Sequence, residues 1–100
     1  MKDFEHPKRK DIQLTKVLAA LGDPIRLSIV SRLSEVGEEM NFSEFECNVN
    51  KATLSHHLKT LRLAGLITHR REGTRCFISL RPDIKELFPG LLRSILGAHV

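Results

Sequence analysis

From Leu14 to Leu21 the apolar positions Leu14, Val17, Leu18 and Leu21 recur at i, i+3, i+4 and i+7, the period of one helical face, and Gly22 ends the run. Asp11 stands ahead of this stripe as the expected cap, so a first helix is predicted from about residue 11. Asp23 followed by Pro24 restarts a helix. The Asp carboxylate accepts from orphan backbone N–H groups, and Pro at the first helical position loses nothing by lacking one. That second helix is predicted to run to about Glu35. Its Ile25, Leu27, Ile29, Val30 and Leu33 are spread so widely around the axis that it is expected to be largely buried. Gly37 to Asn41 reads as a loop, and Ser43 as the cap of a short helical turn through Glu44, Phe45 and Glu46, anchored by Phe42 and Phe45. Asn48 and Asn50 bracket Val49 in a turn. Asn50 then caps a helix over 51–64 that turns Leu54, Leu58 and Leu61 inward and stops at Gly65.

After Gly65 the period changes from 3.6 to 2. Leu66 to Arg71 and Thr74 to Leu80 alternate as two strands about a turn at Glu72 and Gly73, a hairpin with an arginine-rich tip. Pro82 and Asp83 open the last segment, where Ile84, Leu87, Phe88, Leu91, Leu92, Ile95 and Leu96 repeat at three and four residues. Pro89 cannot donate to its own helix, so a kink or two short helices are predicted there. The expected fold class is therefore mainly α with a small antiparallel β-hairpin, a winged helix-turn-helix. Residues 1–10, mostly charged and carrying the run Lys8, Arg9, Lys10, are expected to be a flexible basic arm, and residues 11–100 one DNA-binding and dimerisation domain.

Composition narrows the partners. One hundred residues, 41% of them hydrophobic, suffice for one core, and a formal net charge of +4 favours polyanions. No stretch approaches the roughly 20 apolar residues that span a bilayer, and the N-terminus lacks an apolar signal core, so the expectation is a cytoplasmic protein with no membrane partner. Cys47 and Cys76 form no CxxC pair.

Stepping about 100° per residue from Leu54 places Thr53, Ser55, His56, Lys59 and Thr60 on the far half of the third helix, with His57 at the packing edge. His57 is expected to close that edge through a hydrogen bond, while His56 faces outward. A helix after a tight turn, with hydroxyls and cations outside, suits the DNA major groove, where short polar side chains meet base edges and Lys meets phosphate. Arg70, Arg71 and Arg75 around the hairpin turn form a cationic fork suited to the sugar-phosphate backbone or the minor groove. The competing reading of these arginines is a solvated hairpin with weak surface pairs to Glu72.

The blocks LAALGDPIRLSIVSRL, TLSHHLKTLRLAGLI and RREGTRCFISL, in this order, resemble those of the ArsR/SmtB family of winged-helix transcriptional repressors over about Leu14 to Leu80. The resemblance implies a homodimer joined by its first and last helices, bound to a partly palindromic double-stranded operator and released by an inducing signal. It implies DNA contacts from Lys51, Thr53, Ser55, His56 and Lys59 on the recognition helix and from Arg70, Arg71 and Arg75 on the wing. The metal ligands common in that family, a CxC pair before the turn or spaced Asp and His on the last helix, have no counterpart here, since Cys47 stands alone and Asp83 is far from His99. No metal and no cofactor is expected, and the inducer is not readable from the sequence.

Four alternatives stand beside these expectations. Ser55 and His56 are helix neighbours pointing about 100° apart with no orienting carboxylate beside them, so an enzyme is not expected. Cys47 and Cys76 are either small buried hydrophobes or a redox switch beside the reading head. The terminal stripe, Leu87, Leu91, Leu92, Ile95 and Leu96, serves either the chain's own core or a second copy. The dimer reading assigns it, with Leu14, Val17 and Leu21, to the interface. A winged helix that meets an acidic protein instead of DNA is the remaining functional alternative.

Overall fold

Asp23 and Asn50 decide where the two longest helices begin. In the computed structural model, which describes residues 4–45 and 49–98, the elements are α1 (Leu14–Leu21), α2 (Pro24–Val36), β1 (Met40–Asn41), α3 (Lys51–Ala64), β2 (Ile67–Glu72), β3 (Arg75–Leu80), α4 (Asp83–Leu87) and α5 (Leu91–Ala98), with 3-10 turns at Arg9–Asp11 and Phe42–Glu44. The Asp23 carboxylate accepts from the backbone N–H of Ile25 at 2.8 Å and of Arg26 at 3.1 Å. Those bonds, that of Arg26 foremost, hold its carboxyl below the usual carboxylate range. The Asn50 Oδ1 accepts from Thr53 N–H at 2.8 Å, and α3 covers the span its sequence predicts.

The far end of α3 is closed by a Schellman arrangement. Gly65 N–H donates to Arg62 O and Leu66 N–H to Leu61 O, each at 3.0 Å, with Gly65 at φ 91°. The chain leaves that cap directly into β2. Arg81 N–H donates back to Leu66 O at 3.0 Å, so the hairpin is tied at its root to the end of α3. The β2–β3 pairing runs from Ile67↔Leu80 to Glu72↔Arg75, around a two-residue turn at Gly73 and Thr74. Gly73, at φ 61°, supplies the positive φ that a tight hairpin needs.

Several elements differ from expectation. The sheet has a third strand: β1 pairs antiparallel with β3, Met40 opposite Ile78 and Asn41 opposite Phe77, in the order β1-β3-β2. Asn41, not Ser43, caps the following turn, in a capping box with Glu44, and the turn ends at Glu44. Asp11 does not cap α1, because it lies inside the preceding 3-10 turn and Gln13 takes the boundary position. The α2 helix buries one stripe, Ile29, Val30 and Leu33, while Arg32, Ser34 and Glu35 face solvent. The terminal segment, by contrast, divides as expected into α4 and α5 around Pro89 and Gly90.

The core is one cluster in which α1 (Val17, Ala20, Leu21), α2, α3 (Leu54, Leu58, Leu61) and the sheet (Met40, Ile67, Ile78) meet, closed below by Ile84 and Leu92. The segment read as a basic arm has fixed partners from Phe4 onward. Arg62 Nε donates to Glu5 O at 2.9 Å and Arg81 Nη1 to Pro7 O at 2.6 Å, while Arg9 pairs with Asp83 and Glu86 at 3.1 Å each. No helix of the described residues is long and apolar enough to cross a membrane.

Candidate nucleic-acid interface

Once Leu54, Leu58 and Leu61 are drawn into the core, the helical period leaves Lys51, Thr53, Ser55, His56 and Lys59 exposed along the opposite side of α3. Neither Lys51 nor Lys59 has an ion pair among the described residues. Thr60, expected on the same side, is half-buried, and its hydroxyl donates to His56 O at 3.2 Å, a bond that keeps it within the helix.

His57 does the work expected at the packing edge. It is buried, and its Nδ1 lies 3.4 Å from Arg26 Nη1, while Arg26 Nε donates to Ala20 O at the end of α1 at 2.7 Å. Arg26 and His57 thus bridge α1, α2 and α3 and fix how α3 sits on the domain. The two adjacent histidines thus divide into an outward one and an anchoring one.

The wing arginines are not equivalent. Arg75 is exposed and has no ion pair among the described residues. Arg71, on the other face of the ribbon, lies with its guanidinium carbon 5.0 Å from the centroid of the Phe4 ring. Arg70 is engaged by Glu39 in a two-pronged pair, Nε to Oε2 at 2.7 Å and Nη2 to Oε1 at 2.6 Å. Its Nη1 also bonds Glu72 at 2.9 Å, and the guanidinium lies 4.5 Å from the centre of the Phe77 ring. The two carboxylates raise the Arg70 pKa still further above its ordinary value, and Arg70 in turn lowers that of Glu39. The weak pair to Glu72 considered from the sequence is present. The stronger partner, Glu39, was missed because it stands 31 residues away in the segment read as a loop.

Of the expected interface residues, Val17, Leu21 and Leu92 are enclosed by the chain's own core, which corrects their assignment to a surface. Leu87, Leu91, Ile95 and Leu96 are half-buried, and Leu14 is 43% exposed, as is Leu18 at 44%. Cys76 is half-buried on β3 opposite Arg71, and Cys47 lies outside the described residues. Among the described residues no three His, Cys, Asp or Glu side chains gather as metal donors.

A capped helix with a polar outer face, set after a turn and followed at once by a basic β-ribbon, defines a winged helix-turn-helix protein. Residues 23–69 match the family model of the bacterial regulatory proteins of the arsR family. The chain is 37% identical over 96 residues to the uncharacterized HTH-type transcriptional regulator YceK of Bacillus subtilis, covering 92% of this chain and 96% of that one. It is 36% identical over 74 residues to the uncharacterized HTH-type transcriptional regulator MJ1325 of Methanocaldococcus jannaschii, covering 72% and 83%. The crystal structure of Rv0081 from M. tuberculosis superposes with a TM-score of 0.64 at 28% identity, covering 83% of this chain and 84% of that one. This protein belongs to the arsR family of bacterial regulatory proteins. It is a DNA-binding transcriptional regulator, and the family is one of regulators rather than enzymes.

Proposed function

We propose that the protein is a homodimeric repressor that acts in the cytoplasm on a partly palindromic operator, inserting α3 of each copy into the major groove. The observation that carries this reading is the outer side of α3, where Thr53, Ser55 and His56 stand exposed between Lys51 and Lys59, cations with no ion pair among the described residues. Hydroxyls and an imidazole meet base edges, and the lysines meet phosphates. Arg75 adds a phosphate contact from the wing, with Arg71 behind it. Two copies set their recognition helices about 34 Å apart, one turn of DNA, which gives the operator its symmetry.

Selection of bound duplexes from a random pool by the purified protein tests the reading, followed by titration with salt. A two-fold symmetric site is expected. Lys59→Ala and Arg75→Ala should each weaken binding to all sequences alike and flatten the salt dependence by about one counterion, a change of about 0.9 in the slope. His56→Ala should relax preference at one position per half-site, by about 1–3 kcal/mol of discrimination. Unchanged affinity in both cation variants removes the proposed surface, and equally weak binding to every sequence favours contact with an acidic protein instead.

Glu39 competes with phosphate for Arg70. Glu39→Gln is therefore expected to tighten DNA binding and to make the salt slope steeper by about 0.9, as one more arginine becomes available. A gel-shift series at several salt concentrations measures both. If neither changes, Arg70 belongs to the fold of the wing and not to its contact with DNA.

A further inference from the structure

We infer that residues 4–7 are a proton-sensitive clamp on the root of the wing, docked through a neutral His6 and released when that ring is protonated. The Phe4 ring stacks on His69 of β2 with centroids 3.7 Å apart and planes 17° from parallel. It also meets the guanidinium of Arg62 at 4.9 Å and that of Arg71 at 5.0 Å. An aromatic ring among two cations and an imidazole is held by stacking and cation–π attraction. The polar half of the clamp is His6. Its Nδ1 lies 2.9 Å from Phe4 O, and its Nε2 accepts the backbone N–H of His69 at 2.9 Å.

These two bonds allow one state of the ring. A carbonyl can only accept, so Nδ1 carries the proton, and a backbone N–H can only donate, so Nε2 carries none. A second proton on the imidazole would set N–H against N–H and leave the His69 amide without a partner. The resulting cation would also face Arg62 from α3, Arg81 beyond β3 and the ring of His69 from β2, which Arg71 also faces. Glu5 on its own segment offsets Arg62, and Asp83 behind Arg81 is already paired with Arg81 and Arg9.

His69 has no more room for charge. It is 6% exposed, its Nδ1 faces Arg62 Nη1 at 3.4 Å, and its Nε2 is buried with no hydrogen-bond partner among the described residues. Burial first, and then Arg62, push its pKa down to about 4. Burial likewise lowers that of His6, aided by Arg62 and Arg81 against the raising effect of the Phe4 carbonyl. Both shifts have one sign. Docking is at full strength above the ordinary histidine value near 6.5 and is lost as pH falls through the lowered value of His6. Because the clamp lies against the strand that carries Arg71, its release changes the surroundings of a wing cation.

The test is an NMR titration of the labelled full-length protein from pH 8 to 4.5, following the His6 ring, the His69 amide and the Phe4–His69 cross-peaks. In the wild type the contacts should disappear with the midpoint of the His6 titration, the docked population falling about tenfold per pH unit below it. Phe4→Ala should be undocked at pH 8, with His6 titrating near 6.5. His6→Gln offers a carbonyl acceptor and an amide donor without a titration, and it should keep the contacts well below the wild-type midpoint. Contacts that persist in the wild type through the His6 titration overturn the proposal. So does a loss in His6→Gln at the same midpoint.

Discussion

In the proposed homodimer, replacing Leu14 and Leu18 together by glutamate is expected to leave the domain folded, turn the protein into a monomer and weaken operator binding by about 10²- to 10⁴-fold. The two side chains are one helical turn apart on α1, both more than two-fifths exposed, and neither belongs to the buried core. Their substitution therefore removes little packing from the chain itself, whereas Val17 or Leu21 on the same helix would take the core with it. Two exposed leucines on an eight-residue helix, with half-buried Leu91, Ile95 and Leu96 along α5, are apolar surface that a second copy would cover. A carboxylate at each position would face its symmetry mate or an apolar side chain, and either is unfavourable. Linking two half-site contacts in one particle multiplies affinity without any new contact, so losing the dimer forfeits that factor. Sedimentation velocity at micromolar concentration reads the oligomeric state, circular dichroism the fold, and a gel shift the affinity. A variant that stays dimeric, or a wild type that is monomeric, rules out this interface.

The parts of the fold that were legible in the sequence are those fixed by neighbours in the chain. The α3 boundaries follow from Asn50 and Gly65, which act within a few residues, and the hairpin follows from alternation on either side of Gly73. The break before α5 follows from Pro89. What could not be read depends on contacts distant in sequence. The β1 strand is two residues long, too short to show a period, and exists because Ile78 and Phe77 pair with it. Arg70 was legible as a cation but not as one held by Glu39. The N-terminal segment looked like an unattached run of charge because the groups that hold it, Arg62, His69 and Arg81, lie 57 to 74 residues further on. Phe4 was the available hint, a single large apolar side chain among charges. In the candidate site, the outer side of α3, Thr60 apart, was legible as exposed because a helical period is a local property. Val17, Leu21 and Leu92, assigned to the interface, belong to the core, since periodicity shows that a face is apolar without showing which neighbour covers it.

Gly65→Ala is the substitution expected to cost most in stability for the fewest atoms added, about 2–4 kcal/mol from two separate sources. The backbone is one: at φ 91° an alanine Cβ crowds the following carbonyl, a cost of roughly 1–2 kcal/mol. Space is the other. A Cβ at this position would stand 2.7 Å from both Cδ1 and Cγ1 of Ile12 and 3.2 Å from its Cγ2, inside any normal contact. Ile12 is β-branched and stiff, and it packs against the core, so it cannot simply swing aside. The two sources separate in a double-mutant cycle. Ile12→Ala removes all three crowding atoms, so Gly65→Ala in that background should cost only the backbone part, a favourable coupling of at least about 1 kcal/mol. For a domain of this size each kcal/mol shifts the melting temperature by about 4–8 °C, so Gly65→Ala alone should melt at least about 8 °C lower. Simple additivity of the two substitutions would mean that Ile12 does not press on the turn. The consequence reaches function, because Gly65 is the residue at which the recognition helix ends and the wing begins, and the Leu66 N–H to Leu61 O bond that joins them depends on its conformation. A shifted cap would reorient the hairpin that carries Arg71 and Arg75. The affinity of folded Gly65→Ala for DNA should therefore fall, and Ile12→Ala should restore part of it along with the stability.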